Sequence, residues 1–143
     1  MTDKVSKEKR SAIMSKIKSS GTKPELALKS MLDELPYVFI YQPKIEYRPD
    51  FLAVGKRTVI FADGDFFHGK ERIPFVSGPF WVEKILRNMA RDEEANIYYT
   101  SYGWCVFRIW ESAIKKIERQ TLKAYISAVL APDKRVPGVR YIR

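Results

Sequence analysis

A chain of 143 residues, 45% of them hydrophobic, is sized for one domain around a single core. Its 26 lysines and arginines against 17 acids give a net charge of +9, which disfavours cationic partners and points to a polyanion such as nucleic acid, although solvated lysines alone would give the same balance. One cysteine, Cys105, excludes an internal disulfide and argues against a multi-cysteine zinc site; no apolar run approaches the ~20 residues that cross a bilayer, and the charged start MTDKVSKEKR lacks the apolar stretch of a secretory signal, so a cytoplasmic protein is expected.

In chain order, Ser6 predicts the start of a basic helix that runs to Ser20 and stops at Gly21, an arm over residues 1–21. Thr22-Lys23-Pro24-Glu25 then opens a second helix, with Thr22 as N-cap, Pro24 in the tolerant first turn and Glu25 completing a capping box. Tyr37 to Tyr41 is rich in strand formers, and Asp50–Val54 with Arg57–Phe61 flank Gly55-Lys56 as a hairpin. Residues 68–79, with two glycines and two prolines, read as a loop, followed by a long helix from Phe80 to Tyr98. Trp104–Trp110 reads as a strand and Ser112–Ala131 as a closing helix stopped by Pro132, leaving a basic tail over 132–143. The order α-α-β-β-β-α-β-α implies a single α/β domain, a mixed sheet flanked by helices.

The acids are the chemical signal. Arg48-Pro49-Asp50-Phe51 puts Asp50 at a strand start, and Asp63 falls where the next strand ends, so hairpin pairing would bring the two together. Carboxylates at one strand end supply hard oxygen ligands suited to magnesium, though spacing alone leaves open a pair of exposed turn aspartates. His68, the one histidine, could take a proton from water beside such a centre, or be a polar loop residue. Asn88, Arg91 and Asp92 are spaced to share a helical face, as a site or as a solvated face with local pairing.

The segments RSAIMSKIKSSGTKPE, YRPDF, VIFADGDFFHG, FWVEKILRNMARD and GWCVFRIWE, in this order over roughly residues 10 to 111, resemble the very short patch repair (Vsr) DNA mismatch endonucleases. The resemblance implies a restriction-endonuclease-like α/β fold and magnesium-dependent nicking of double-stranded DNA; separately, a monomer is expected. The resemblance implies catalytic roles for Glu25, Asp50, His68 and Asp92, and metal ligation by Asp50 and the Ala62 carbonyl with Asp63 as a further candidate. It also implies Phe66, Phe67 and Trp81 as wedges into the base stack, where a mismatch opens more cheaply than a paired step, with Lys84, Asn88 and Arg91 on the DNA. Phe66 and Phe67 also fit a core position. Asp65, Gly69-Lys70-Glu71-Arg72 and Ser112 stand where the family's structural zinc site would need cysteine or histidine, so no zinc is expected. The expected activity is nicking at a T:G-like mismatch or distorted site in repair. The alternatives are a sequence-specific restriction- or homing-type nuclease and a DNA-binding module without catalysis.

Overall fold

The computed structural model describes residues 21–64, 79–132 and 136–142, the side chains of Pro79 and Trp81 excepted. The expected arm helix and the Asp65 to Gly78 stretch, with Phe66, Phe67 and His68, lie outside the described residues.

Thr22 starts helix α1 (Lys23–Asp33) as the sequence predicts: its hydroxyl accepts from the Glu25 N–H at 3.3 Å, and Glu25 Oε2 reaches back to an N–H. That N–H belongs to Gly21, one residue ahead of the cap, which at φ 69° turns the chain into the helix. Leu28, Met31 and Leu32 form the buried stripe of α1. Strands β1 (Phe39–Tyr41), β2 (Phe51–Ala53) and β3 (Thr58–Asp63) are antiparallel, with Phe39 opposite Ala53 and Phe51 opposite Ile60. The hairpin forms, but its loop spans Val54 to Arg57, four residues where a two-residue turn is predicted. Gly55 (φ 76°) and Arg57 (φ 47°) both take the left-handed region that reverses the chain there.

Helix α2 (Pro79–Ser101) crosses to β4 (Cys105–Trp110), which lies parallel to β3, with Ile60 opposite Phe107 and Asp63 opposite Trp110. The predicted closing helix is two helices, α3 (Glu111–Lys116) and α4 (Arg119–Leu130). Ile117 and Glu118 between them are extended, and the Glu118 carboxylate caps α4 by accepting from the Gln120 and Thr121 amides at 3.1 and 2.9 Å. Those bonds hold the exposed Glu118 carboxyl below its usual range. The expected tail also differs: Gly138–Ile142 is strand β5, parallel to β4. The sheet is therefore five-stranded and mixed, in the order β1-β2-β3-β4-β5.

Strand alternation divides the core. Ile60, Phe107 and Ile109 pack with α1, α3 and α4 on one face, while Val59, Phe61 and Val106 pack with Ala95 and Tyr99 of α2 on the other. The same count of two sends Ala62 to the first face and Asp63 to the second, which decides the partners of both. No helix among the described residues is long and apolar enough to cross a membrane.

Candidate active site

Asp50 stands one residue before β2, after a proline that has no N–H to add to the ladder, and after Tyr47 and Arg48, whose φ values of 61° and 45° bend the chain into the strand. Its Oδ2 accepts the Ala62 N–H at 2.7 Å, so the carboxylate is fixed against the end of β3. Its second neighbour is Glu25, with which it shares a hydrogen bond. Glu25 is 3% exposed, held by the Gly21 N–H and by the Tyr41 hydroxyl, which donates to Oε2 at 2.7 Å. Gln42 Nε2 donates in turn to the Tyr41 oxygen at 3.2 Å.

Two carboxyls in contact in a largely dry place cannot both carry full charge without compensation. Burial is the main cause that pushes Asp50 up to about 9; the bond to Glu25 and the charges of Glu25 and Asp63 add to it, and the Ala62 amide opposes it. Glu25 already accepts from two donors, the Gly21 amide and the Tyr41 hydroxyl. Tyr41 is pushed up to about 12, chiefly by burial and then by its bond to Glu25, and stays a neutral donor.

Two residues at this site carry no signal in the sequence pattern. Tyr41 reads only as a strand former. Glu111, the first residue of α3, accepts from the Thr22 hydroxyl at 3.3 Å, and its carboxylate would lie 3.9 Å from a Cβ added at Gly64. The acid after a strand that ends beside β3 could have been suspected from a parallel β3–β4 pairing. Thr22 thus serves the α1 amide and the α3 acid at once. Thr22→Ala is expected to cost about 1 kcal/mol of stability, typical of a lost N-cap, read as a lower urea midpoint at unchanged slope.

The expected convergence of Asp50 and Asp63 needs correction. Asp63 faces α2, where both its oxygens lie 3.0 Å from Arg108 Nη1, so it meets a guanidinium on the other side of the sheet. The two acids still feel each other's charge, but Asp63 is not the partner that closes on Asp50; Glu25 is. Asp92 also turns inward to Arg108, Oδ1 to Nη1 at 3.5 Å. Arg91, exposed, lies over the Tyr47 ring at 5.5 Å from its centroid. Lys84 and Asn88 are half-buried on the first turns of α2. Ala62 contributes its amide to Asp50. His68, Phe66 and Phe67 lie outside the described residues, and Trp81 is placed only by its backbone in α2.

Among the described residues no three His, Cys, Asp or Glu side chains converge to hold a metal. The Glu25–Asp50 pair nonetheless fits one divalent cation. It offers hard oxygens already in contact, and a cation would replace the proton that the pair otherwise retains.

A model of the family described as DNA mismatch endonuclease Vsr matches residues 2–74. The chain is 30% identical over 138 residues to the type II nicking enzyme V.XorIIP of Xanthomonas oryzae pv. oryzae, covering 93% of this chain and all of that protein. It is 36% identical over 120 residues to the type II nicking enzyme V.NmeDIP of Neisseria meningitidis serogroup C, covering 80% of this chain and 81% of the other. With the DNA mismatch endonuclease Vsr of Escherichia coli K12 it shares 33% identity over 129 residues, 87% of this chain and 83% of that one.

Proposed function

The chain belongs to the Vsr DNA mismatch endonuclease family, and on that premise we propose that it is a magnesium-dependent endonuclease that nicks one strand of duplex DNA at a sequence-defined site. The observation that carries the reading is the buried Glu25–Asp50 contact at the end of β3. The names of V.XorIIP and V.NmeDIP, both type II nicking enzymes, favour a defined site over general mismatch repair.

In this reading Asp50, with Glu25 behind it, holds the cation. Magnesium bound there would polarise the phosphoryl oxygen and offset charge on the leaving oxygen. The chain's own residues do the rest. The Ala62 amide fixes the direction of the Asp50 carboxylate. Tyr41 and the Gly21 amide hold Glu25 in one rotamer, so both acids are set before substrate arrives. His68, five residues after Asp63, would take the proton from the attacking water, its ordinary pKa of about 6.5 suiting that task at neutral pH. Arg91 and Lys84 would meet phosphates along α2, supplying the salt-dependent part of affinity.

A second reading, recognition of a mismatch by Phe66, Phe67 and Trp81, is favoured by the family description and by the name of the Escherichia coli relative. One assay separates the two. End-labelled duplexes, fully matched or carrying each mismatch, are incubated with magnesium or EDTA and resolved by strand. Cutting of one strand of a matched duplex at one sequence, lost in EDTA, is the expected result. Cutting confined to mismatched duplexes moves the assignment to the second reading, and undiminished cutting in EDTA removes the magnesium mechanism.

A further inference from the structure

Arg108 lies in the middle of Cys-Val-Phe-Arg-Ile-Trp, a strand whose six residues are all buried, and is itself 1% exposed. All three of its nitrogens are used. Nη1 donates to both oxygens of Asp63 at 3.0 Å and lies 3.5 Å from Asp92 Oδ1. Nη2 donates to the Asp92 main-chain carbonyl at 3.1 Å, and Nε to Asn96 Oδ1 at 2.7 Å. The Phe61 ring lies under the guanidinium, 4.1 Å from centroid to Cζ. Asn96 passes the connection on, its Nδ2 donating to the Tyr141 hydroxyl at 3.3 Å. One side chain thus joins β3, β4 and α2, and through Asn96 reaches β5.

Stability gives a poor account of this arrangement. Apolar side chains of similar volume commonly hold a helix to a sheet as well as a buried ion pair does, because they avoid desolvating the charges. An apolar contact, however, lets a helix slide or roll, whereas a planar guanidinium bonded at fixed angles to a helix carbonyl and two side chains does not. The bonds also end in informative places. Asp63 follows Ala62, whose amide holds Asp50. Asp92 and Asn96 lie one and two turns beyond Asn88 on the same face of α2, and Arg91 adjoins Asp92.

We infer that Arg108 is a positioning residue of the endonuclease, setting the turn of α2 that carries Asn88, Arg91 and Asp92 at a fixed height over the strand end that holds Asp50. The inference rests on the proposed reading of the Glu25–Asp50 site as the place of cleavage. A substrate strand gripped by α2 and cut at Asp50 is aligned only as well as these two elements are aligned. A misplacement of about 1 Å remote from the reacting atoms can cost roughly 10²-fold in rate.

The test uses the full chain with Arg108→Lys and Asn96→Ala. Lysine keeps the charge and loses the fork. Asn96→Ala leaves the Arg108–Asp63 ion pair in place and cuts only one strut to α2, so it decides the matter if Arg108→Lys does not fold. Single-turnover nicking of a duplex cut by wild type is measured per folded molecule, alongside affinity for that duplex in EDTA and amide hydrogen exchange of α2. Arg108→Lys is expected to lose about 10²-fold and Asn96→Ala about tenfold in rate. Affinity should stay within about threefold in both, since phosphate contacts dominate it, and exchange around Asp92 should quicken. A rate per folded molecule within threefold of wild type overturns the inference, as does affinity falling in step with the rate. If wild type cuts no duplex, the cleavage reading of the site falls by itself. The exchange measurement then still decides the tether, and unchanged protection around Asp92 overturns it.

Discussion

Asp50→Asn is expected to lower nicking by at least about 10³-fold while raising the melting temperature of the metal-free protein above neutral pH. The first effect follows from the chemistry proposed for the site: an amide is a poor ligand for a hard cation and leaves Glu25 alone to hold it. The second follows from the contact between the two acids. The Asp50 carboxyl is raised from an ordinary 3.8 to about 9, so the folded state holds a proton that the unfolded chain has already released. The associated stability is fully present below about pH 4 and is lost progressively as pH rises toward about 9, because ionising Asp50 beside Glu25 is penalised only in the folded protein. Asparagine has the shape of the protonated acid. Its oxygen can accept the Ala62 amide, its nitrogen can donate to Glu25, and it never ionises. The variant should therefore melt higher than wild type by several degrees at pH 8 and by little at pH 4. Millimolar magnesium should narrow the gap at pH 8 by binding the wild type. Thermal melts at the two pH values, with and without magnesium, check this; a gap independent of pH would mean that the two acids do not share a proton. Retained nicking would remove Asp50 from the chemistry.

The parts of this protein that could be read from sequence are those governed by near neighbours in the chain. Thr22 and Glu25 are three residues apart, and their cap forms because its donors and acceptors are already close. The hairpin is legible from alternation on either side of Gly55, and α2 from its length and a punctuating loop. Ile117-Glu118 hides a break because both residues fit a helical pattern, and only the Glu118 carboxylate, turned to its own backbone, separates α3 from α4. The last strand is hidden by composition. Its Arg140 and Tyr141 are exposed at a sheet edge, so it reads as tail until β4 offers a partner. The site was half legible for the same reason. Asp50 and Glu25 could be named as residues, but their contact depends on how α1 lies across the sheet. Pairing along the hairpin implies that Asp63 converges on Asp50, but two residues per pleat put Ala62 and Asp63 on opposite faces. Arg108, 45 positions from Asp63, has no local pattern at all: an arginine in a strand reads as surface until its acid is found.

Asp63→Ala tests that correction most directly, through a large loss of stability. With the aspartate gone, Arg108 remains 1% exposed on the sheet, and a buried charge stripped of its main partner typically costs 3–5 kcal/mol. Asp92 can compensate only in part. Its side chain is 22% exposed, lies at 3.5 Å and is held by its place on α2. A loss of about 3 kcal/mol is expected, on the order of 10 °C in a domain of this size, measured by urea unfolding and by melting. Asp63→Asn, which keeps one acceptor for Nη1, should lose less, and Asp63→Ala combined with Arg108→Met should regain much of the loss by removing the stranded charge with its partner. A primary magnesium ligand at Asp63 predicts the reverse pattern: a fold close to wild type in stability, a higher magnesium requirement for nicking, and no rescue by Arg108→Met. The two outcomes differ in sign on the double variant, because apolar replacement helps a stranded ion and does nothing for a missing ligand.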